Sequence, residues 1–482
     1  MKKKLILCLL LLSGVLYNSN VKANVRLPDL VASNMVLQRN TTITLWGWAN
    51  PGEKFTITGS WLANPIRVSA DKAGDWKINV STTNSKQPQF IKIKGNKETI
   101  SLDNILFGEV WLCSGQSNME IPVNGYLGQP IYGAQEAIVN AMNDDIRLFT
   151  VSKQASLMVE NTLAVHSTWQ SADPQSIKEF SAVAYFFGKR LHDILNVPVG
   201  LIHSSWGGSL IEAWMSKEAL NSVKNFDLNG VDLKRGNRFP TVLFNAMINP
   251  LIPYTIKGAI WYQGESNVGK AEEYKLLFKG MIKDWRARWG IGDFPFYYVQ
   301  ISPYKYSEQN RMEDTDNAAF LREAQVQCLD VIPNVGLAVT LDIGTENIIH
   351  PPNKKDVANR LLYNALHSTY GYKAIPFSGP TLDSVNVRNQ GIYLSFQHAE
   401  NGLYAFGKLE GFDIAGADKI FYPADASIYK GNQVFVKSSK VTEPVAVRYG
   451  FRSWTVATLF NTYLLPASSF RTDTWKDAKQ VE

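Results

Sequence analysis

The chain has 482 residues, 45% of them hydrophobic and 12% aromatic, which is more than one core usually organises and points to two or three domains. Its 49 basic and 43 acidic residues give a formal charge of +6, but Lys2, Lys3, Lys4 and Lys22 fall in an N-terminal stretch that reads as a leader. Without them the balance is near neutral, so charge gives no reason to expect nucleic acid or an acidic partner.

Residues 1–23 place three lysines before the apolar run Leu5 to Leu12 and end in Val21-Lys22-Ala23, the form of a cleavable export signal. The mature protein is therefore expected in the periplasm or outside the cell. Cys8, inside the apolar run with no small-residue motif before it, reads as part of the signal. Cys113 and Cys328 are the cysteines of the mature chain, too few for a disulfide framework or a thiolate metal site. No second apolar run approaches twenty residues, so no membrane span is expected.

Residues 24–103 read as short β segments forming a small β-sandwich. Thr42–Trp48, Lys54–Gly59, Trp76–Val80 and Phe90–Lys94 are β-branched or aromatic runs divided by Asn50-Pro51-Gly52 and similar turns. Residues 104–375 alternate apolar runs (Ile105–Cys113, Val197–His203, Ile256–Tyr262, Phe294–Ile301, Val335–Leu341) with helical periods (Ser181–Leu195, Glu272–Trp289, Asn353–His367). That alternation predicts an α/β domain with a parallel sheet covered on both faces. From 376 to 482 the β texture returns, at Gly391–Phe396, Gly402–Phe406, Asp418–Tyr422, Gln433–Val436 and Pro444–Tyr449. The two terminal segments form either separate β domains or one β unit with the middle inserted.

Polar clusters follow most of the apolar runs: 114–118, 204–209, 263–267 and 342–350. Sites in open α/β sheets lie at the carboxyl ends of strands, so four such loops point to one site. In Gly108–Glu120 (GEVWLCSGQSNME) a strand breaks into a tight turn that would hold Ser117 clear, with free backbone N–H groups around it. Ser117 reads as a nucleophile; the plainer reading of those five residues alone is a surface turn.

Of six histidines, His192, His367 and His398 lie in regular elements, His166 has no motif around it, and His203 ends a strand beside Gly207-Gly208. His350 follows the last sheet strand and is held extended by Pro351-Pro352, which makes it the expected base. The third member should be a carboxylate, with Asp342 first and Glu346 between it and His350. An oxyanion hole would draw on the N–H of Ser117, an N–H of Gly207 or Gly208, and an amide from Gln263 or Asn267. Glu265, in the same loop, is a possible supporting residue. There is no HExxH, no close Cys/His set and no GxxxxGK[ST] loop, so neither metal nor cofactor is expected.

GEVWLCSGQSNME, GLIHSSWGGSLIEAW, GAIWYQGESN and DIGTENIIHPPNKKDVANRL resemble four blocks of the sialate O-acetylesterase family within the SGNH-hydrolase superfamily; VASNMVLQ and LPASSFRTDTW resemble its flanking regions. The resemblance implies a flavodoxin-like three-layer α/β/α catalytic domain with flanking β-sandwich structure, acting as a serine esterase on O-acetylated sialic acids. By position it makes Ser117 the nucleophile, His350 the base, Gly207 or Gly208 an oxyanion donor and Gln263 the amide donor. One position departs: many SGNH hydrolases carry aspartate three residues before the histidine, where this chain has Asn347. Asp342 ranks above Asn347 and Glu346 as the orienting residue, with a Ser–His dyad as the alternative. Two other functions remain open: the same chemistry on an acetylated polysaccharide such as xylan, and a carbohydrate-binding protein without catalysis. A sialate site would need a base such as Arg235 or Arg238 for the sugar carboxylate.

Overall fold

The computed structural model describes residues 25–95, 98–226, 233–306, 317–388, 391–475 and 479–480; the expected leader and its Cys8 lie outside them. The fold is a mixed α/β structure with a central sheet and additional β regions. Strands β1 (Val36–Gln38), β2 (Thr42–Trp48), β3 (Lys54–Gly59), β4 (Ile66–Ser69), β5 (Asp75–Ser81) and β6 (Gln89–Lys94) precede the long strand β7 (Thr99–Gly115). Strands β3 and β6 alternate buried residues with more exposed ones, as strands with one covered face do. The β2–β5 ribbon meets the β3–β4–β6–β7 strands through an edge-to-face contact of Phe55 and Trp76, whose ring centres are 5.2 Å apart.

Strand β7 does two jobs. Residues 99–105 pair antiparallel with β6, and residues 109–115 become the middle of the parallel sheet. The strand therefore runs through the 103/104 boundary without ending. Asp103-Asn104 reads as a break in sequence, and Asn104 does take a left-handed turn (φ 56°), but pairing resumes beyond it.

The remaining strands of the sheet are β8 (Asn143–Thr150), β9 (Gln170–Ala172), β10 (Val199–Ser205), β11 (Gly258–Tyr262), β12 (Phe296–Val299) and β13 (Val335–Ala338), in the order β13-β12-β11-β7-β10-β8-β9. All pair in parallel except β9, which is antiparallel to β8. Successive residues of β11 and β12 enter different cores. Ala259, Trp261, Phe296 and Tyr298 pack with the helices Ala271–Trp289 and Asn317–Val331, while Ile260, Tyr262, Tyr297 and Val299 pack with Ala182–Leu195 and Lys354–Asn364. A strand covered on both faces has no polar face, which is why these runs read as continuously apolar.

Residues beyond 376 form separate sheets around their own core, centred on Ile392, Leu394, Ile414, Val434, Val436 and Val447. Among the described residues none of their strands pairs with β1–β7; the N-terminal strands share the large core of the central sheet. Buried Arg322 and Gln300 join the C-terminal region to the α/β part: Arg322 donates to the carbonyl of Gly450 (3.0 Å) and the hydroxyl of Ser469 (3.2 Å), and Gln300 to that of Ser468 (2.7 Å).

Candidate active site

The loops after β7, β10 and β11 emerge side by side, because Gly115 is in register with Ser205 on one side and Tyr262 on the other. The turn after β7 requires glycine: Gly115 has φ 139°, and a Cβ there would lie 2.2 Å from the Tyr262 carbonyl. Gln116 N–H then donates to that carbonyl (2.9 Å), and Ser117 opens a single helical turn, Ser117–Glu120, partly open to solvent.

Ser117 Oγ lies 2.8 Å from His350 Nε2. The partner of His350 Nδ1 is Gln129 Oε1, at 2.6 Å. Since an amide oxygen only accepts, Nδ1 carries the proton and Nε2 is left to accept from Ser117. Gln129 sits at the end of the tight turn Tyr126–Gln129, closed by backbone bonds of 3.1 and 2.9 Å, and Tyr126 sets its ring edge-to-face on His350 at 5.7 Å. The turn is anchored where Tyr132 N–H donates to the carbonyl of Pro352, two residues after the histidine (3.0 Å).

The structure does not place Asp342 against His350. Both its oxygens accept from the guanidinium of Arg360 at 2.7 Å. A bidentate Arg–carboxylate pair is strongly directional, so Asp342 braces β13 and the following helix. Glu346 pairs with Lys305 at 3.5 Å and Asn347 is exposed; neither bonds the imidazole.

The oxyanion candidates also divide. Gly207 lies against Ser117, a Cβ there falling 3.2 Å from Ser117 Cβ, but its N–H donates to the Glu120 carboxylate. The N–H groups of Ser117 and Gly208 have no hydrogen-bond acceptor among the described residues. Gln263 and Asn267 are fully buried and committed: Gln263 donates to the Ser209 carbonyl (3.1 Å) and Asn267 Oδ1 (2.7 Å), and Asn267 donates to Glu212 (3.0 Å). They hold the 204–214 loop in place. Gln116 instead presents an amide: its Oε1 is fixed by the N–H groups of Gly264 (3.2 Å) and Ser266 (3.3 Å), and its own NH2 makes no hydrogen bond among the described residues.

Burial pushes the His350 pKa down to about 4; the Lys354 charge lowers it further and the Glu120 charge opposes. His203, the other histidine near the site, bonds Ser205 Oγ at 2.6 Å, so it does not serve Ser117. Among the described residues no three His, Cys, Asp or Glu side chains gather as metal ligands, and no helix is long and apolar enough to cross a membrane. Cys113 and Cys328 are buried free thiols.

Sequence reasoning missed Gln129 because it looked for the partner of His350 only among the residues just before it, Asp342, Glu346 and Asn347. The signal available was the NGYLGQP turn between the serine block and the next strand.

A serine–histidine pair on the carboxyl edge of a parallel sheet defines a hydrolase of the nucleophile-and-base kind. Residues 108–351 match the model of the family described as carbohydrate esterase, sialic acid-specific acetylesterase. The human sialate O-acetylesterase is 32% identical over 75% of this chain and 74% of its own length, and the mouse enzyme 26% identical over 92% and 94%. A solved carbohydrate acetylesterase from Xanthomonas citri superposes with TM-score 0.85 at 36% identity, covering 94% of this chain and all of that one. The chain belongs to the sialic acid-specific acetylesterase family of carbohydrate esterases, and is a carboxylic ester hydrolase.

Proposed function

We propose that this enzyme removes acetyl groups from O-acetylated sialic acids through an acetyl-enzyme formed on Ser117. The observation that carries the reading is the 2.8 Å contact between Ser117 Oγ and His350 Nε2. His350 takes the Ser117 proton as Oγ attacks the acetyl carbonyl, forming the O–C bond and moving the π electrons onto oxygen. The N–H groups of Ser117 and Gly208 and the Gln116 amide are the donors for that oxyanion. Collapse breaks the bond to the sugar oxygen, which leaves with the proton from His350; water, deprotonated by His350, then releases acetate. Gln129 orients the imidazole in this scheme, without a charge of its own. The helices on both faces of the parallel sheet support a flavodoxin-like SGNH-hydrolase architecture, and the lysine-then-apolar start of the chain supports export to the periplasm or beyond.

For the sugar carboxylate, Arg238 is exposed next to Asn237, whose amide bonds the Gly207 carbonyl at 2.6 Å beside the nucleophile; the Arg235 side chain lies outside those described. A second reading, deacetylation of a neutral polysaccharide, uses the same serine and histidine, and the Xanthomonas citri protein, similar over nearly the whole chain, is a carbohydrate acetylesterase. Acetate release by wild type and Ser117→Ala from O-acetylated sialic acid and acetylated xylan, side by side, separates them. Release from sialic acid that the substitution lowers by several orders of magnitude is expected. Preference for xylan would replace the substrate, and turnover by Ser117→Ala would overturn the nucleophile.

A further inference from the structure

Directly beneath the catalytic pair lies a polar group that the mechanism above does not use. Asn118 follows Ser117 and is fully buried; its amide donates both to Glu265 Oε1 (2.5 Å) and to the carbonyl of Ile349 (3.0 Å), the residue before His350. Its Oδ1 accepts from Lys354 Nζ, also fully buried, which opens the helix after His350 and lies 5.2 Å over the Tyr262 ring. Glu265 is 7% exposed and arrives on the loop after β11, so four segments meet at one amide.

Burying a lysine and a glutamate around an asparagine carries a desolvation penalty that apolar packing would avoid, so stability alone gives little reason for the arrangement. A lysine in the first turn of a helix is, besides, at the electrostatically wrong end. What the arrangement does provide is a fixed amide orientation. Turned end for end, Asn118 would set its oxygen against the Ile349 carbonyl and the Glu265 carboxylate, and its NH2 against the Lys354 ammonium. Correctly oriented, it joins the residue after the nucleophile to the residue before the base.

We propose that Asn118, locked by Lys354 and Glu265, is a positioning clamp that sets the separation of Ser117 and His350. The proposal rests on Ser117 as nucleophile and His350 as base. Burial pushes Lys354 down to about 7 and raises Glu265, so both charged forms depend on one another and on Asn118. A misplacement of even 1 Å between nucleophile and base costs orders of magnitude, which gives such a clamp its use.

The test compares wild type, Ser117→Ala, the double variant Asn118→Asp with Glu265→Gln, and Asn118→Ala. In the double variant a carboxylate still faces Lys354 and the charge balance is kept, but the donor to the Ile349 carbonyl is gone. Turnover, KM, melting temperature and the rate of Ser117 labelling by a fluorophosphonate are measured for each. The expected result is a double variant that melts near the wild type and keeps its KM within about twofold, while kcat and labelling rate both fall at least tenfold. A double variant with wild-type kcat and labelling overturns the clamp, as does a kcat that falls while labelling is unchanged. Should the double variant not fold, Asn118→Ala decides: it removes the donor to the Ile349 carbonyl and leaves Glu265 and Lys354 in place, so kcat and labelling rate are expected to fall at least tenfold with KM within about twofold, and wild-type values of both overturn the clamp. Labelling or turnover that survives in Ser117→Ala would instead refute the nucleophile, a result visible independently of the clamp.

Discussion

His350 is held by an amide on one side and a hydroxyl on the other, and burial sets its titration. With burial dominant and no carboxylate on Nδ1, its pKa is pushed down to about 4, so the neutral, proton-accepting form persists well below pH 6.5. The acid limb of kcat/KM is expected near pH 4 to 5. Gln129→Glu would place a carboxylate on Nδ1–H, stabilise the imidazolium and move that limb upward by about one unit or more, which a pH–rate profile of both proteins measures. An unmoved limb would show that Gln129 does not govern the base. Asp342 carries the opposite expectation. Asp342→Asn removes the partner of Arg360, itself 8% exposed, and should cost roughly 3 kcal/mol of stability while leaving the acid limb in place. Thermal melts beside the pH profile check both halves.

At the scale of elements, the turn that carries Ser117 depends on how tightly two strand ends approach. Gly115→Ala would drive a Cβ into the Tyr262 carbonyl from a backbone angle that L-residues avoid, so β7 and β11 could not keep their register there. Loss of several kcal/mol by denaturant unfolding, with activity reduced even in the folded fraction, is the expected result. Much of this element structure was legible. Thr42–Trp48 and Lys54–Gly59 are strands as the β-branched runs imply, and Ser181 and Asn353 cap the helices they begin, by accepting from Ala184 and Asp356 N–H. What escaped had no clean period. The strand Asn143–Thr150 opens on Asn-Asp-Asp, and the helix Asn317–Val331 follows polar chain and carries only a weak amphipathic pattern.

Across the whole molecule the buried histidines couple folding to pH. His203 is enclosed, with its Nδ1 unpaired, and burial pushes its pKa down to about 4, against about 6.5 in an unfolded chain. The unfolded state therefore binds more protons between those values. Stability is full above about pH 6.5 and falls as pH drops toward 4, by roughly 3 kcal/mol for His203 alone. Urea unfolding at pH 7.5 and 4.5 should show the loss, and His203→Gln should reduce it, leaving the part that His350 contributes.

What the sequence determined by itself is most of the strands and helices in their order, the carboxyl-edge placement of the polar loops, and the pairing of Ser117 with His350. Each is written locally, in apolar period, turn residues and short motifs. Which side chain bonds His350, and which donors stand free beside Ser117, was decided only by tertiary structure. Gln129 reaches His350 across 221 residues of chain, and Asp342, eight residues from that histidine, turns to Arg360 instead. Gly207 and Gln263 stand in the expected loops, yet Glu120 and Asn267 occupy their hydrogens. Motif spacing brings a loop to the site, but which polar atom is free there depends on hydrogen bonds between segments far apart in sequence, and a linear pattern does not encode them.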